Sequence, residues 1–203
     1  MNRATLKRAM TNLAAKDADV AGALKIVGHP EPRNRPAGFA TFLSTVVGQQ
    51  ISAEAAATIR GRVEALLPEI SPEALLGVRN RALRSAGMSL RKVEYAKGLA
   101  QAIVDGEFDI EGLADLDDEA AIETITALRG FGRWSAEIYL MFSLGRRDIF
   151  PSGDLALRVA VGRLKGLDER PTPGEAKDLV AHWSPYRTAG SLFLWRYYRG
   201  APT

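Results

Sequence analysis

The sequence predicts an all-α fold, and three observations indicate this class. Apolar residues recur at helical spacing through most of the 203-residue chain, and no stretch shows four or more clean strand alternations bounded by turns. Helix-start signals are frequent, as in SPEALLGV at 71–78, where a serine and a proline precede the apolar residues. The connections between these segments are short, so we expect roughly ten short helices.

The first half of the chain begins with the moderately amphipathic segment 4–26, which predicts one opening helix ended by the proline-rich segment 29–36. Residues 39–50 predict an apolar helix with a polar tip. Ser52 can cap the next helix, which would run to about Leu67. Three further segments have helical spacing: 71–78, 81–87 and 89–104.

The second half continues the helical pattern. Residues 117–129 carry acids at their N-terminal end, where the helix dipole favours negative charge. Residues 133–145 are apolar on nearly all sides and predict a helix in the core. The remaining segments with helical spacing are 153–166, 172–183 and 184–200.

The composition excludes several kinds of chemistry. The chain has no cysteine and only two histidines, His29 and His182, so disulfides, cysteine-ligated zinc, iron–sulfur clusters and histidine-rich metal sites are excluded. Lys and Arg number 27 against 24 Asp and Glu, and a formal net charge of +3 permits nucleic-acid binding without requiring it. We expect no secretory leader and no membrane-spanning segment, and the cysteine-free composition fits a cytoplasmic protein.

The glycine pair in LRGFGRWSAEIYL, at 128–140, is the most informative local motif. It matches part of a dinucleotide-binding glycine loop, but that loop requires a preceding strand, and the residues before Gly130 have a helical pattern. Gly130 and Gly132 could simply supply the backbone angles of a turn between two helices. Alternatively, the turn presents backbone N–H groups to a phosphate at the start of the second helix, where Arg133 and Ser135 lie.

The motifs together resemble the helix-hairpin-helix DNA glycosylase superfamily, in particular its 3-methyladenine DNA glycosylase II (AlkA-like) branch. The hairpin L-x-G-x-G-R-W is followed by an apolar helix and then by DIFPSGD at 148–154, whose last aspartate opens another helix. VVGQQISAEAA at 46–56 and SPYRTAGSLFLWRYY at 184–198 resemble further segments of the family. The resemblance extends over residues 38–200.

The resemblance implies a single domain over residues 1–203 with two helical lobes and a cleft between them. The lobes would span about 38–109 and 110–170, and residues 1–37 and 171–203 would pack together in one lobe. We also expect a monomer that needs no cofactor and binds damaged DNA, in the nucleoid if the source is bacterial.

The activity implied is base excision repair. The enzyme would flip an alkylated purine, such as 3-methyladenine or 7-methylguanine, out of the duplex and hydrolyse its bond to the sugar, leaving an abasic site. Two alternatives stay open: a glycosylase for a deaminated or oxidised base, and a non-catalytic helix-hairpin-helix DNA-binding module.

Asp154 has two compatible interpretations. An aspartate before an apolar helical segment is a common N-cap. By the resemblance, Asp154 is also the family's essential acid, which would stabilise positive charge on the deoxyribose and orient a water molecule. Bifunctional family members carry a lysine at the position of Trp134, so this tryptophan implies an enzyme without lyase activity.

Other residues receive DNA-binding roles from the resemblance. Gln50 would enter the DNA with Gln49 beside it, although a plain polar loop is nearly as good an interpretation of Gln49. A positively charged alkylated base would stack on aromatic rings. The predicted pocket residues are Trp195, Tyr139 and Trp134. Core packing is the alternative for each of them. For Phe42, a fourth aromatic residue, core packing is the favoured interpretation.

The resemblance also implies weaker or purely structural contacts. A monovalent cation, Na⁺ or K⁺, would be held at the hairpin by the backbone carbonyls of Thr126, Leu128 and Phe131. The residues proposed above for phosphate binding are Gly130, Gly132, Arg133 and Ser135. Four basic residues could add phosphate contacts: Arg91, Lys92, Arg158 and Arg163. Most charged side chains, however, are simply solvated at the surface.

Overall fold

The computed structural model describes residues 1–200, which form twelve α-helices and two 3₁₀ turns. This part of the chain contains no β-strand, so the predicted all-α class is confirmed. None of its helices combines the length and apolar character needed to cross a membrane.

The bounds of the twelve helices define the elements named below. In sequence they are α1 (Arg3–Lys16), α2 (Ala18–Val27), α3 (Phe39–Gly48), α4 (Ala53–Glu64), α5 (Pro72–Gly77), α6 (Asn80–Ser85), α7 (Leu90–Val104), α8 (Asp118–Thr126), α9 (Arg133–Phe142), α10 (Leu155–Leu164), α11 (Pro173–Leu179) and α12 (Arg187–Gly200). The 3₁₀ turns are Gly112–Ala114 and Ala181–Trp183.

The helices group into two compact units. One contains Met1–Asn34 together with the described chain from Glu137 onward, and the other contains Arg35–Ala136. The second unit includes all of the predicted lobe 38–109 and part of the predicted lobe 110–170, and α9 begins in this unit and ends in the other. The single-domain organisation over 1–203 stays a prediction.

The opening segment differs from the predicted single helix because the helix breaks at Asp17. The Asp17 backbone is extended, with φ −140°, and its carboxylate accepts hydrogen bonds from the N–H groups of Asp19 and Val20. A residue that caps the start of a helix has a non-helical backbone, so it cannot also be an interior residue of one continuous helix. The result is α1 and α2 in place of one helix over 4–26.

The same Asp17 carboxylate is the centre of a buried polar cluster in the first unit. Its Oδ2 atom lies 2.7 Å from Lys165 Nζ, 2.7 Å from Trp183 Nε1 and 3.0 Å from His182 Nε2. Burial opposes ionisation of this group, which is only 4% exposed, but the hydrogen bonds outweigh burial and lower the pKa of Asp17 to about 2. These hydrogen bonds connect Asp17, between α1 and α2, to Lys165 and Trp183, which lie more than 140 positions later in the chain.

The second unit is built around α7, which packs against α3, α5 and α6. Phe42, on α3, is buried with its ring edge-on to the rings of Phe108 and Phe131, at centroid distances of 5.6 and 5.3 Å. Phe42 therefore lies in the core, in agreement with the interpretation favoured from the sequence. Phe131 belongs to the glycine-pair turn, so this aromatic cluster attaches the turn to the core of its unit.

Most helix starts agree with the sequence signals. Ser52 caps α4 by accepting from the Ala55 N–H at 3.2 Å, and Ser71 caps α5 in the same way through Ala74. Helix ends were less well predicted, since α3 stops at Gly48 and α4 at Glu64. The shorter α3 leaves residues 49–52 as a loop between two helices.

Candidate functional site

The glycine pair forms the predicted hairpin between α8 and α9. The turn is closed by a hydrogen bond from the Phe131 N–H to the Leu128 carbonyl at 3.1 Å. α9 then begins immediately after Gly132, whose carbonyl accepts from the Ala136 N–H at 3.1 Å. The first turn of a helix presents N–H groups without carbonyl partners inside the helix, so this hairpin has the backbone arrangement that binds anions.

Gly130 is required at its position for two reasons. Its φ of +96° lies in the region that residues with side chains rarely adopt. A Cβ atom here would also overlap the ring of Tyr95, on α7. The hairpin backbone therefore rests directly on the Tyr95 ring, which only glycine allows.

Gly130→Ala is expected to lower the free energy of unfolding by about 1–3 kcal/mol, because the new methyl group overlaps Tyr95 and the backbone angle is strained. Gly132→Ala is the matched control. Its Cβ would meet no atom within 4 Å, so the stability loss should stay below about 1 kcal/mol. Thermal unfolding of both variants measures the difference; an equally stable G130A protein would contradict it.

The other predicted phosphate-binding residues lie at the start of α9. The Arg133 guanidinium forms two parallel hydrogen bonds with the Glu119 carboxylate, at 2.5 and 2.8 Å. Both side chains are more than half exposed, so this ion pair is weak enough to open for a phosphate. Ser135 is half-buried and Trp134 is 48% exposed, so both lie at or near the surface.

Gln50 is the exposed tip of the loop between α3 and α4. It is the only residue other than glycine in positions 1–200 with a left-handed backbone, at φ +57°. Such a conformation costs about 1 kcal/mol or more and persists only where the surroundings hold it, often at functional positions. Its predicted insertion into DNA stays a prediction, but its exposure and geometry suit that role.

Gln49, the second predicted insertion residue, has a different environment. It is half-buried, and its Nε2 donates a 2.8 Å hydrogen bond to the Gly130 carbonyl of the hairpin. Lys92, considered above for phosphate binding, donates from Nζ to the Val47 carbonyl at 2.8 Å, and burial lowers the pKa of Lys92. Both polar groups therefore already bond to backbone carbonyls: Gln49 to the hairpin and Lys92 to the end of α3.

Asp154 lies in the first unit as the N-cap of α10. Its Oδ1 accepts from the Leu157 N–H at 3.0 Å, and its own N–H donates to the Pro151 carbonyl at 2.9 Å. The carboxylate is half-buried. The Pro151 turn and the α10 cap together fix the position of the acid, so the capping role inferred for Asp154 is observed.

The three predicted pocket aromatics differ in exposure. Trp134 is exposed, whereas Tyr139 is only 4% exposed and lies in the core. Trp195 is half-buried, with its ring 6.0 Å from that of Phe142 and the Arg33 guanidinium 5.7 Å from its centroid. Trp195 thus already makes a cation–π contact of the kind expected with a positively charged base.

Two of the remaining basic residues have informative surroundings. The Arg163 guanidinium lies over the Tyr198 ring at 5.6 Å. Arg158 follows Asp154 by one helical turn on α10, and its Nε is buried without a hydrogen-bond partner among residues 1–200. Because this Nε atom is buried, a phosphate contact by Arg158 would have to use its terminal nitrogens, and it stays a prediction.

Sequence reasoning missed Tyr95 altogether. It lies beneath the hairpin although it is 35 positions earlier in the chain, and the Arg129 guanidinium lies 5.9 Å from its centroid. The only local signal was an aromatic residue on a helix otherwise buried through small and aliphatic residues. That signal does not identify what the ring would contact.

Comparisons with known proteins identify the family of the chain. Residues 43–185 match the family model described as HhH-GPD superfamily base excision DNA repair protein. The chain is 29% identical over 199 residues to DNA-3-methyladenine glycosylase 1 of Schizosaccharomyces pombe, covering 95% of this chain and 87% of that one.

Two solved structures are similar over nearly the whole chain. The S. pombe 3-methyladenine DNA glycosylase in complex with abasic DNA has a TM-score of 0.84 and 28% identity, covering 96% of this chain and 98% of that one. The DNA-3-methyladenine glycosidase of Bacillus halodurans has a TM-score of 0.83 and 34% identity, covering 92% and 87% respectively. The expected superfamily and its 3-methyladenine glycosylase branch are thus confirmed. The chain belongs to the HhH-GPD superfamily of base excision DNA repair proteins.

Proposed function

We propose that the protein is a monofunctional DNA glycosylase of the AlkA type that removes alkylated purines from DNA by hydrolysis. The observation that carries the proposal is Asp154, a half-buried carboxylate fixed at the N-terminus of α10, following a hairpin built to receive a phosphate. A module that only binds DNA would need a cap at the start of α10 but not the negative charge of this acid. The relatives that remove 3-methyladenine supply the substrate class.

The proposed reaction needs little beyond a positioned carboxylate. As the C1′–N bond breaks, its electron pair leaves with the base and positive charge develops on the sugar. Asp154 would stabilise that charge and orient a water molecule, whose oxygen forms the new bond to C1′ while its proton is released. An N-alkylated purine already carries positive charge and leaves readily, so the base needs no strong acid.

The aromatic residues support a cationic substrate. The Trp195 ring already faces the guanidinium of Arg33. An alkylated base carries the same sign of charge and adds a flat surface for stacking. Trp195 is therefore the best candidate for a pocket wall, and Trp134 is exposed enough to contact DNA. Tyr139 is buried in the core, so it is a weaker candidate for direct contact with the base.

Trp134 supports the absence of lyase activity, because an indole ring cannot form a Schiff base with the sugar. Treating the enzyme and its abasic product with borohydride is expected to trap no covalent protein–DNA complex and to leave the strand uncut. A bifunctional glycosylase under the same conditions serves as the positive control. A trapped adduct of this protein would refute the monofunctional assignment.

The substrate class is tested by measuring bases released from duplex DNA. We expect release of 3-methyladenine and 7-methylguanine from methylated DNA, and much slower release from duplexes containing a deaminated or an oxidised base. Preference for either of the latter would favour the alternative glycosylase. Tight DNA binding with no release of any base would favour a non-catalytic module.

Three further features belong to the proposal. Thr126 is the last residue of α8, and Leu128 and Phe131 lie in the turn that follows it, so their backbone carbonyls could hold a Na⁺ or K⁺ ion, with the Leu128 carbonyl also accepting from the Phe131 N–H. Such an ion would add positive charge beside a bound phosphate. The protein would act as a monomer, and its cytoplasmic location, suggested by the cysteine-free composition, stays a prediction.

A further inference from the structure

The loop formed by residues 49–52 is unusual because its exposed tip depends on support from elsewhere. Gln50 holds a left-handed backbone without the freedom of glycine. Its neighbour Ile51 is also exposed. A short loop with a strained, solvated tip would relax unless both of its ends were fixed.

The two ends of the loop are fixed by ordinary capping interactions. Before the loop, Lys92 donates to the Val47 carbonyl in the last turn of α3. After the loop, Ser52 caps α4 through the Ala55 N–H. These contacts hold the helices that flank the loop, but neither connects the loop to the DNA-binding hairpin.

Gln49 makes that connection. Its side-chain amide reaches the Gly130 carbonyl at 2.8 Å, across 81 positions of sequence. The acceptor belongs to the residue whose backbone lies against the Tyr95 ring, so it cannot move toward α7. The bond therefore joins the loop to the part of the hairpin that packs on α7.

The helix α7 completes this arrangement. Lys92, which supports the loop, and Tyr95, which supports the hairpin, are three residues apart on α7 and so lie on one face. α7 thus contacts both the end of α3 before the loop and the hairpin, and Gln49 joins the loop to the hairpin directly. Within the unit Arg35–Ala136, the tip at Gln50 is kept at a set distance from the phosphate-binding turn.

We propose that Gln49 is a positioning residue, which stays on the hairpin while Gln50 alone enters the DNA. The hydrogen bond from Gln49 to Gly130 makes the loop and the hairpin one rigid surface. A phosphate held by the hairpin then places Gln50 at the position of the flipped nucleotide. This inference rests on the proposed DNA-binding role of the hairpin but on no particular lesion.

The test compares affinities for an abasic duplex, which require DNA binding but no base release. Gln49→Ala is expected to weaken binding about fivefold, in line with the loss of one hydrogen bond. Gln49→Met keeps the length of the side chain but cannot donate, so it should weaken binding to a similar extent. Gln101→Ala is the matched control, since Gln101 donates a 2.8 Å bond to Asp105 on the surface of the same unit.

A double-mutant comparison separates positioning from insertion. If Gln49 acts by placing Gln50, then adding Gln49→Ala to a Gln50→Ala protein should change the affinity less than about twofold. Two glutamines that each insert would instead give losses that multiply. Circular dichroism of each variant checks that the helices remain folded.

Three outcomes would overturn the proposal. They are wild-type affinity of Q49A, wild-type affinity of Q49M, and multiplying losses in the double variant. Failure of the proposed function is seen separately, because a wild-type protein that did not bind the abasic duplex would refute DNA binding itself. A wild type that binds the abasic duplex and releases no alkylated base would refute only the substrate assignment.

Discussion

Asp154→Asn is expected to lower the rate of base release from methylated duplex DNA by about 100-fold or more. The substitution removes the negative charge that would oppose the developing charge on the sugar. It keeps the fold, because asparagine caps helices as well as aspartate does, and its side-chain oxygen can still accept from Leu157. The loss should therefore appear in the chemical step, measured under single-turnover conditions, with little change in affinity for an abasic duplex.

Asp117→Asn provides the matched control. Asp117 caps α8 through the Ala120 N–H at 2.8 Å, as Asp154 caps α10 through Leu157. Because Asp117 has no proposed role at the sugar, D117N should release bases at nearly the wild-type rate. Equal losses in the two variants would mean that capping matters and charge does not, and unchanged release by D154N would reject the catalytic assignment.

Local features were predicted well from the sequence. The cap at Asp154 depends on residues within four positions, and the left-handed backbone angle at Gly130 is a property of the turn itself. Both follow from short-range hydrogen bonds and backbone angles, which a linear pattern records. The helical class follows for the same reason, because the period of apolar residues is itself local.

Long-range contacts were not predictable in this way. The bond from Gln49 to Gly130 joins residues 81 positions apart, and nothing near either residue signals the other. The placement of aromatic rings has the same limit: Tyr139 and Trp195 were both predicted as pocket residues, with Trp195 favoured, yet only the structure shows that Tyr139 is buried in the core and that Trp195 is partly exposed. The break at Asp17 combines a local cap of α2 with contacts to Lys165 and Trp183, far along the chain, and these distant contacts have no signal near Asp17 in the sequence.

That buried carboxylate gives the largest expected effect on stability. Asp17→Ala should lower the free energy of unfolding by about 3–5 kcal/mol at neutral pH, because the cap of α2 is lost and buried donors lose their acceptor. Asp19→Ala is the matched control, since Asp19 lies 2.8 Å from the same Lys165 ammonium but its side chain is 52% exposed. Its loss should stay below about 1 kcal/mol, and chemical denaturation measures both.

The stability difference between wild type and D17A should depend on pH in a defined direction. The pKa of Asp17 is lowered from 3.8 to about 2 in the folded protein, so its charge stabilises the fold above pH 4. As the pH falls from 4 toward 2, the unfolded chain takes up a proton before the folded protein does, and about 2 kcal/mol of the difference should disappear. A difference that stayed constant over this range would show that Asp17 acts through packing and neutral hydrogen bonds alone. One that grew would require the carboxyl group to be protonated more readily in the folded protein, contrary to the contacts with Lys165 and His182.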